Sequence, residues 1–244
     1  MEIKNSVAFV SGANRGIGKA FVEELLKAGV AKIYAAARNP EQLSDLLATD
    51  PERIVPVTLD ISNPQMVRAA AENSDVTILI NNAGIAAFAG FIAAEDSDAA
   101  RGEMETNYFG TLDMTRAFAP VLAANGGGAI VNLASIASHI NFPVLGSYSA
   151  SKAAVHSMTQ GVRAELAAQG TLVIGVYPGP VDTDMAENFP MDKTPPNTVA
   201  KIVLEAVEAG EEDVYPDPTS LELHAGLLGD PKAVEKQTGT MLPG

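Results

Sequence analysis

The feature that most restricts the fold is an alternation. Short apolar runs of about four to seven residues trade places with longer segments of helical period. Residues 7–10 form the first run. A glycine-rich turn follows, and 16–28 then places Ile17, Ala20, Phe21, Leu25 and Ala28 on one helical face before Gly29 stops it. Residues 32–37, 53–59, 76–80, 129–134, 172–177 and 213–215 read as further strands. Helices are predicted at 40–48, from Ser62-Asn63-Pro64 to about 72, over most of 96–124, at 149–168 and at 198–208. The run 76–80 is apolar and largely β-branched, as in a strand buried on both faces. Seven strands alternating with helices imply a parallel sheet covered on both sides, and right-handed crossovers make it doubly wound. With no linker, repeat or low-complexity segment, one domain over 1–244 is expected.

Charge and cysteine usage remove several functions. The 16 basic and 30 acidic residues give a net charge of −14, which disfavours phosphate backbones and anionic membranes. Cysteine is absent, so thiolate metal sites, disulfides and a cysteine nucleophile are excluded. The N-terminus lacks a signal-peptide pattern, and no run approaches the ~20 apolar residues of a membrane span. A cytoplasmic protein is expected, with no nucleic-acid or membrane partner. His139, His156 and His224 are scattered and lack ligand spacing, so no metal site is expected.

The first turn reads Ser11-Gly12-Ala13-Asn14-Arg15-Gly16-Ile17-Gly18, between a strand and a helix. Glycines at 12, 16 and 18 allow a tight turn and close approach of backbone to phosphate, and a helix N-terminus offers free N–H groups. This is the context of a Rossmann-like dinucleotide site, a three-layer α/β sandwich. A carboxylate at the end of the second strand would bind a ribose 2′-OH. Here that strand ends Ala35-Ala36-Ala37-Arg38. A guanidinium at Arg38 suits a 2′-phosphate, with Arg15 reaching it from the other side, so NADP(H) is expected over NAD(H). Asp60 ends the third strand, where a carboxylate accepts from an adenine amino group or caps the next helix.

Tyr148 and Lys152 are four residues apart on a predicted helix and share a face. An ammonium beside a phenol favours the phenolate; moving the phenol from about 10 to near 7 takes ~4 kcal/mol. Ser135 lies thirteen residues earlier, at the end of the fifth strand, where a hydroxyl steadies a substrate oxygen. Asn107, in the long preceding helix, is placed to hold a water linking Lys152 to solvent or to mark a kink.

With these motifs in view, the sequence resembles the short-chain dehydrogenase/reductase family, in its compact single-domain branch. The matching features are Ser11 through Gly18, Asp60, Asn81-Asn82-Ala83-Gly84, Asn107, Ser135, Tyr148-x-x-x-Lys152, and Pro178-Gly179 followed by Thr183, over roughly residues 6 to 210. The resemblance implies that Tyr148 is the general acid in carbonyl reduction and the base in alcohol oxidation. Lys152 would lower its pKa and hold the nicotinamide ribose. Ser135 would orient the substrate oxygen, and Asn107 would anchor a proton-relay water. Asn82, Ala83 and Gly84 would shape the groove near the adenine ribose, with Ile61 beside Asp60. Pro178, Gly179, Val181 and Thr183 would fix the nicotinamide carboxamide. The family habit implies a homo-oligomer, dimer or tetramer, although the tail at about 216–244 departs from the family's usual glycine-rich end.

The resemblance also makes 183–197 a short substrate lid over a fairly open pocket. Its expected liners are Ile92, Ile136, Phe142, Leu145, Met185, Phe189 and Met191, with His139 as one polar contact. Apart from Lys193 no basic residue in these segments would clamp an anion, which favours a hydrophobic ketone, aldehyde or secondary alcohol. A 3-oxoacyl or hydroxysteroid reductase is the alternative on the same scaffold. A non-catalytic NADP(H)-binding sensor is a more remote one, since Ser135, Tyr148 and Lys152 are all present.

Overall fold

The computed structural model describes residues 1–187 and 189–243. In chain order the elements are β1 (Val7–Ser11), α1 (Gly16–Lys27), β2 (Lys32–Ala37), α2 (Ser44–Thr49), β3 (Ile54–Thr58), α3 (Pro64–Ala70), β4 (Ile78–Asn81), α4 (Asp98–Glu103), α5 (Thr111–Ala124), β5 (Gly128–Leu133), α6 (Gly146–Leu166), β6 (Thr171–Val176), α7 (Pro196–Ala209), β7 (Asp213–Val214), α8 (Pro218–Gly229) and α9 (Pro231–Thr238). The strands form one parallel sheet in the order β3-β2-β1-β4-β5-β6-β7. Each strand expected from the sequence is present, within two residues at either end.

The two-residue period of the strands builds two cores. Ala8, Val10, Ile78, Ile80, Val131, Ile174 and Val176 face one side, where Phe21 and Leu25 of α1 and Val199, Val203 and Val207 of α7 meet them. Phe9, Leu79, Ile130 and Val173 face the other, against Val67 of α3 and Met114, Phe118 and Leu122 of α5. Each Val, Leu, Ile, Phe or Met side chain among them, fully withdrawn from water, stabilises the fold by about 1.5–3 kcal/mol. The sheet is therefore apolar on both faces, which is why its central runs carry no polar alternation.

The order reverses between β1 and β4. The chain builds outward from β1 to β3, then returns to β1's other side. That switch opens a crevice beyond the C-terminal ends of the strands. Ser11, Arg38, Asp60, Asn82, Ser135 and Pro178 all lie at or just past those ends.

Three helical readings change. Residues 40–48 split into a 3-10 turn, Pro40–Leu43, and α2. Residues 96–124 are not one helix: α4 gives way to a π-helical stretch, Met104–Gly110, before α5. The tail, whose sequence reads as one helix-like segment over 220–228, holds two helices, α8 and α9. Both begin on an Asp-Pro pair, with the Asp217 and Asp230 side chains accepting from backbone N–H groups of the first turn.

Candidate active site

The glycine turn takes the shape its sequence demands. Gly12 and Gly16 have φ of +67° and +54°, in the left-handed region. A Cβ on Gly18 would run into the Gly12 carbonyl, so the turn packs directly on α1. The Arg15 side chain does not cap α1, and Gly16 and Ile17 of its first turn line the crevice. Ser11 is committed to the scaffold: its hydroxyl accepts from the N–H groups of Asn82 and Ala83, each at 3.1 Å. Asn82 Nδ2 donates back to the carbonyls of Ser11 and Gly12. Asn14 Nδ2 reaches Gln42 Oε1 at 3.0 Å.

At the far end of the crevice Asp60 accepts from the Ser62 N–H at 3.0 Å and from its hydroxyl at 2.7 Å. These bonds hold the Asp60 carboxyl below its ordinary pKa against the opposing effect of burial, and the Arg38 charge adds to the lowering. The next helix is capped by Asn63 instead. Ile61, Ser62 and Arg38 line the same end. Arg15 also lines the cleft, and its guanidinium bonds Asp184 at 2.9 Å, joining the glycine turn to the loop after β6. Both partners are exposed, so the pair contributes little to stability.

One cleft of about 1390 Å³ runs from Arg38 and Asp60 to Ser135, Tyr148 and Lys152. Tyr148 and Lys152 share a face of α6, with Lys152 Nζ 5.7 Å from the Tyr148 ring centroid. Nζ donates to the Leu133 carbonyl at 2.7 Å. Ser135 Oγ accepts from the Ala137 N–H at 3.1 Å and donates to Pro178 O at 3.4 Å. Ser138 is buried and bonds the Ser135 N–H. Gly84 is needed for closeness: a Cβ there would lie 3.1 Å from Asn107 Oδ1 and 3.4 Å from Lys152 Nζ.

The expected lowering of the Tyr148 pKa is not what the protein produces by itself. Burial pushes the phenol up to about 12; the Glu103 carboxylate acts in the same direction and the Ser135 hydroxyl opposes it. The Lys152 ammonium is itself buried, which pulls its pKa down to about 8. Spacing along the helix suggested the pairing; burial sets the direction of both shifts.

Asn107 is also more constrained than expected. Its carboxamide accepts from the Ile85 N–H at 2.8 Å and donates to the Ile85 carbonyl and Ser151 Oγ, both at 2.9 Å. The side chain therefore holds loop backbone, in the π-helical stretch. One turn earlier, buried Glu103 accepts from the Ala87 N–H at 2.8 Å. Its second oxygen has no partner among the described residues. No motif pointed to Glu103; its spacing of four from Asn107 was the available signal.

Ile136, Phe142, Leu145, Met185, Phe189 and Met191 line the cleft beyond Tyr148. Ile92 does not; it is 96% exposed. Lys193 bonds the Glu187 carbonyl outside the cleft. His139, expected at the substrate, lies instead in a cluster of rings with His156, His224, Tyr177 and Tyr215. Its Nε2 is 3.2 Å from Tyr215 Oη, and burial with two histidine neighbours brings its pKa down to about 4. The far end of the pocket has walls beyond the expected liners. One face of α8 (Thr219, Glu222, Leu223, Gly226) and one face of α9 (Val234, Gln237, Thr238) wall the far end, with Met241 and Leu242. Phe88 was also missed. It has φ of +53° and meets Phe189 edge-on, centroids 5.6 Å apart.

The remaining loop residues fall along the cleft as well. Gly12, Gly16, Ile17, Ala83, Gly84, Gly179, Val181 and Thr183 line it, whereas Gly18 and Asn107 lie behind its wall. A nicotinamide dinucleotide fits this arrangement: a glycine turn on a helix start for a diphosphate, polar groups at one end, and a phenol with a buried ammonium at the other.

Fold and site define an oxidoreductase of the doubly wound dinucleotide class. Comparison with known proteins makes this specific. The family described as short chain dehydrogenase matches residues 6–194. The chain is 34% identical over 208 residues to the short chain dehydrogenase mpl6 of Monascus purpureus, covering 80% of this chain and 70% of that protein. It is 34% identical over 217 residues to an uncharacterized oxidoreductase of Staphylococcus aureus (strain MRSA252), covering 84% and 92%. Among solved structures, a short chain dehydrogenase from Burkholderia cenocepacia J2315 in complex with NADP is 46% identical. It has a TM-score of 0.93 and covers 98% and 99% of the two chains. A short chain dehydrogenase/reductase from Burkholderia phymatum in complex with NAD is 25% identical with a TM-score of 0.81, covering 93% and 96%. The chain belongs to the short-chain dehydrogenase/reductase family, oxidoreductases that use a nicotinamide cofactor. Among the described residues no helix is long and apolar enough to cross a membrane.

Proposed function

We propose that the protein is an NADPH-preferring carbonyl reductase that converts a hydrophobic ketone or aldehyde to its alcohol, and reversibly oxidises the alcohol. The observation that carries this reading is the meeting of Ser135, Tyr148 and Lys152 on one cleft with the glycine turn. Ser135 orients the substrate oxygen from the end of β5. Tyr148 gives its phenolic proton to that oxygen as negative charge develops there, and takes it back in the oxidation direction. A phenol raised to about 12 keeps its proton through the neutral range, which suits a donor. Lys152 places a positive charge behind the phenol and stabilises the phenolate once the proton has left. When bound, the cofactor supplies or accepts the hydride and, oxidised, adds a second positive charge.

Arg38 supports the preference for NADPH, since a guanidinium stands where an NAD site carries a carboxylate. The relative from Burkholderia cenocepacia solved with NADP points the same way. The apolar liners Ile136, Phe142, Leu145, Met185, Phe189 and Leu223 support a hydrophobic substrate, and among the described residues no Lys or Arg lines the end walled by α8 and α9 to clamp a carrier phosphate. The family habit extends this to a homo-oligomer, tested by size-exclusion chromatography against the 25.3 kDa monomer.

The test is to mix protein, NADPH and a panel of aryl ketones and follow loss of nicotinamide absorbance. Turnover is expected, and Tyr148→Phe lowers it by about 10²–10⁴-fold. Undiminished turnover in that variant refutes the proton-donor assignment. No turnover of any carbonyl by the wild type favours a binding-only sensor.

A further inference from the structure

One peptide unit sits where three segments meet. The Pro178 carbonyl accepts from the Ile136 N–H at 2.9 Å and from Ser135 Oγ at 3.4 Å. The N–H of the same unit, on Gly179, donates to Asp217 Oδ2 at 2.7 Å. Asp217 is 3% exposed. Its other oxygen accepts from the Ser220 N–H at 2.9 Å, and Ser220 Oγ accepts from the Asp217 N–H at 3.3 Å. One buried carboxylate therefore caps α8 and pins the backbone after β6. A cap alone needs a single oxygen. The second oxygen is spent across the fold, 38 residues away in sequence.

Gly179 is fitted to this contact. A Cβ there would stand 2.7 Å from Asp217 Oδ1 and 3.1 Å from Thr219 Cβ. Glycine lets the carboxylate and the start of α8 come this close. On the cleft side, α8 presents Thr219, Glu222 and Leu223 to the substrate end. The peptide unit thus ties the wall of that end to the strand end carrying Ser135.

We propose that Asp217 is a positioning residue: it locks the Pro178-Gly179 peptide to the C-terminal helices, so that the substrate-side wall and the loop flanking the nicotinamide hold one register with Ser135. This rests on the cofactor reading above, because that loop is assigned to the nicotinamide there.

The experiment begins with cofactor-free, full-length protein and amide hydrogen exchange at Gly179. The wild-type amide is protected. Asp217→Ala speeds its exchange by about tenfold to a hundredfold, the worth of a charge-assisted hydrogen bond. Ser220→Ala, which leaves the carboxylate on Gly179, lowers Tm but keeps that protection within about twofold. In turnover, Asp217→Ala lowers kcat by about tenfold while NADPH affinity, carried mainly at the adenosine end, stays within about threefold. Asp217→Asn, which retains an acceptor oxygen, recovers part of kcat. Should Asp217→Ala fail to fold, wild-type exchange and the Asn variant decide. A wild-type Gly179 amide exchanging as fast as exposed loop amides overturns the proposal. So does a proportional fall of Tm and kcat in both Asp217→Ala and Ser220→Ala, the mark of a helix cap alone. The exchange measurement stands even if no ketone is reduced, so failure of the reductase reading is seen separately.

Discussion

Lys152 carries a stability signature that is independent of catalysis. Its side chain is 5% exposed, and burial moves its pKa from 10.5 to about 8. That gap corresponds to about 3 kcal/mol against the charged form in the fold. Below pH 8 both folded and unfolded chains carry the ammonium, and the full cost is present. Between pH 8 and 10.5 the unfolded chain still holds the proton that the folded one has released, so stability rises with pH. Above 10.5 neither state is charged and the cost is gone. Lys152→Met keeps the bulk of the stem and removes the titration. Urea unfolding of both proteins, without cofactor, at pH 7 and pH 10 gives the comparison. Wild type should gain about 2–3 kcal/mol relative to the variant across that interval. Groups common to both proteins cancel, and the Leu133 carbonyl left without its donor contributes a constant offset of about 1–3 kcal/mol. A difference that stays flat, or narrows as pH rises, refutes the idea that Lys152 is a buried ammonium held at a cost.

Two other perturbations have clear signs. Arg38→Asp should raise the KM for NADPH by about a hundredfold, because a charge-assisted, bidentate contact is replaced by repulsion, while the KM for NADH changes little; equal effects on both cofactors contradict the assignment. His139, with a folded pKa near 4 against 6.5 unfolded, stays neutral while the unfolded chain gains a proton, so its contribution to stability is lost as pH falls through that window. Discounted for partial exposure, about 1 kcal/mol disappears between pH 7 and 5, or roughly 2–4 °C in Tm; His139→Phe should lack this component, and identical acid losses in both proteins disprove it.

The sheet was legible because its central strands are continuous apolar runs bounded by a turn or a helix start. Residues 32–37 kept their boundaries, and the others moved by one or two residues. The glycine turn, Ser135, Tyr148 and Lys152 were legible because each sits at a strand end or at helix spacing. What escaped depends on tertiary neighbours. The direction of the Tyr148 shift follows from burial, which spacing does not report. Arg15 turns to Asp184, a partner 169 residues away. His139 sits two residues beyond Ala137 of the pocket wall, yet the ring cluster built with β7 and α8 draws it away from the cleft. The walls of the far end come from α8 and α9, which lie beyond the last motif.

Several polar residues around the cleft share a physical task. Loops leaving the ends of a parallel sheet carry N–H and C=O groups with no neighbouring strand, and burying them without partners costs about 1–3 kcal/mol each. Asn107 serves Ile85, Glu103 serves Ala87, Ser11 serves Asn82 and Ala83, and Asp217 serves Gly179. In an extended loop, residues 85 and 87 present their N–H groups to one side, and Glu103 and Asn107, four apart along the chain, reach them together. That side is thus fastened to the region of α4, while Ile85 and Ala86 contribute to the cleft wall. Polar side chains at such positions are spent on holding backbone rather than on touching substrate. Exchanging them for apolar residues of equal size would therefore disturb the placement of Ser135, Tyr148 and Lys152 without removing any reacting group. The expected mark is a fall in kcat with the Tyr148 proton chemistry still in place.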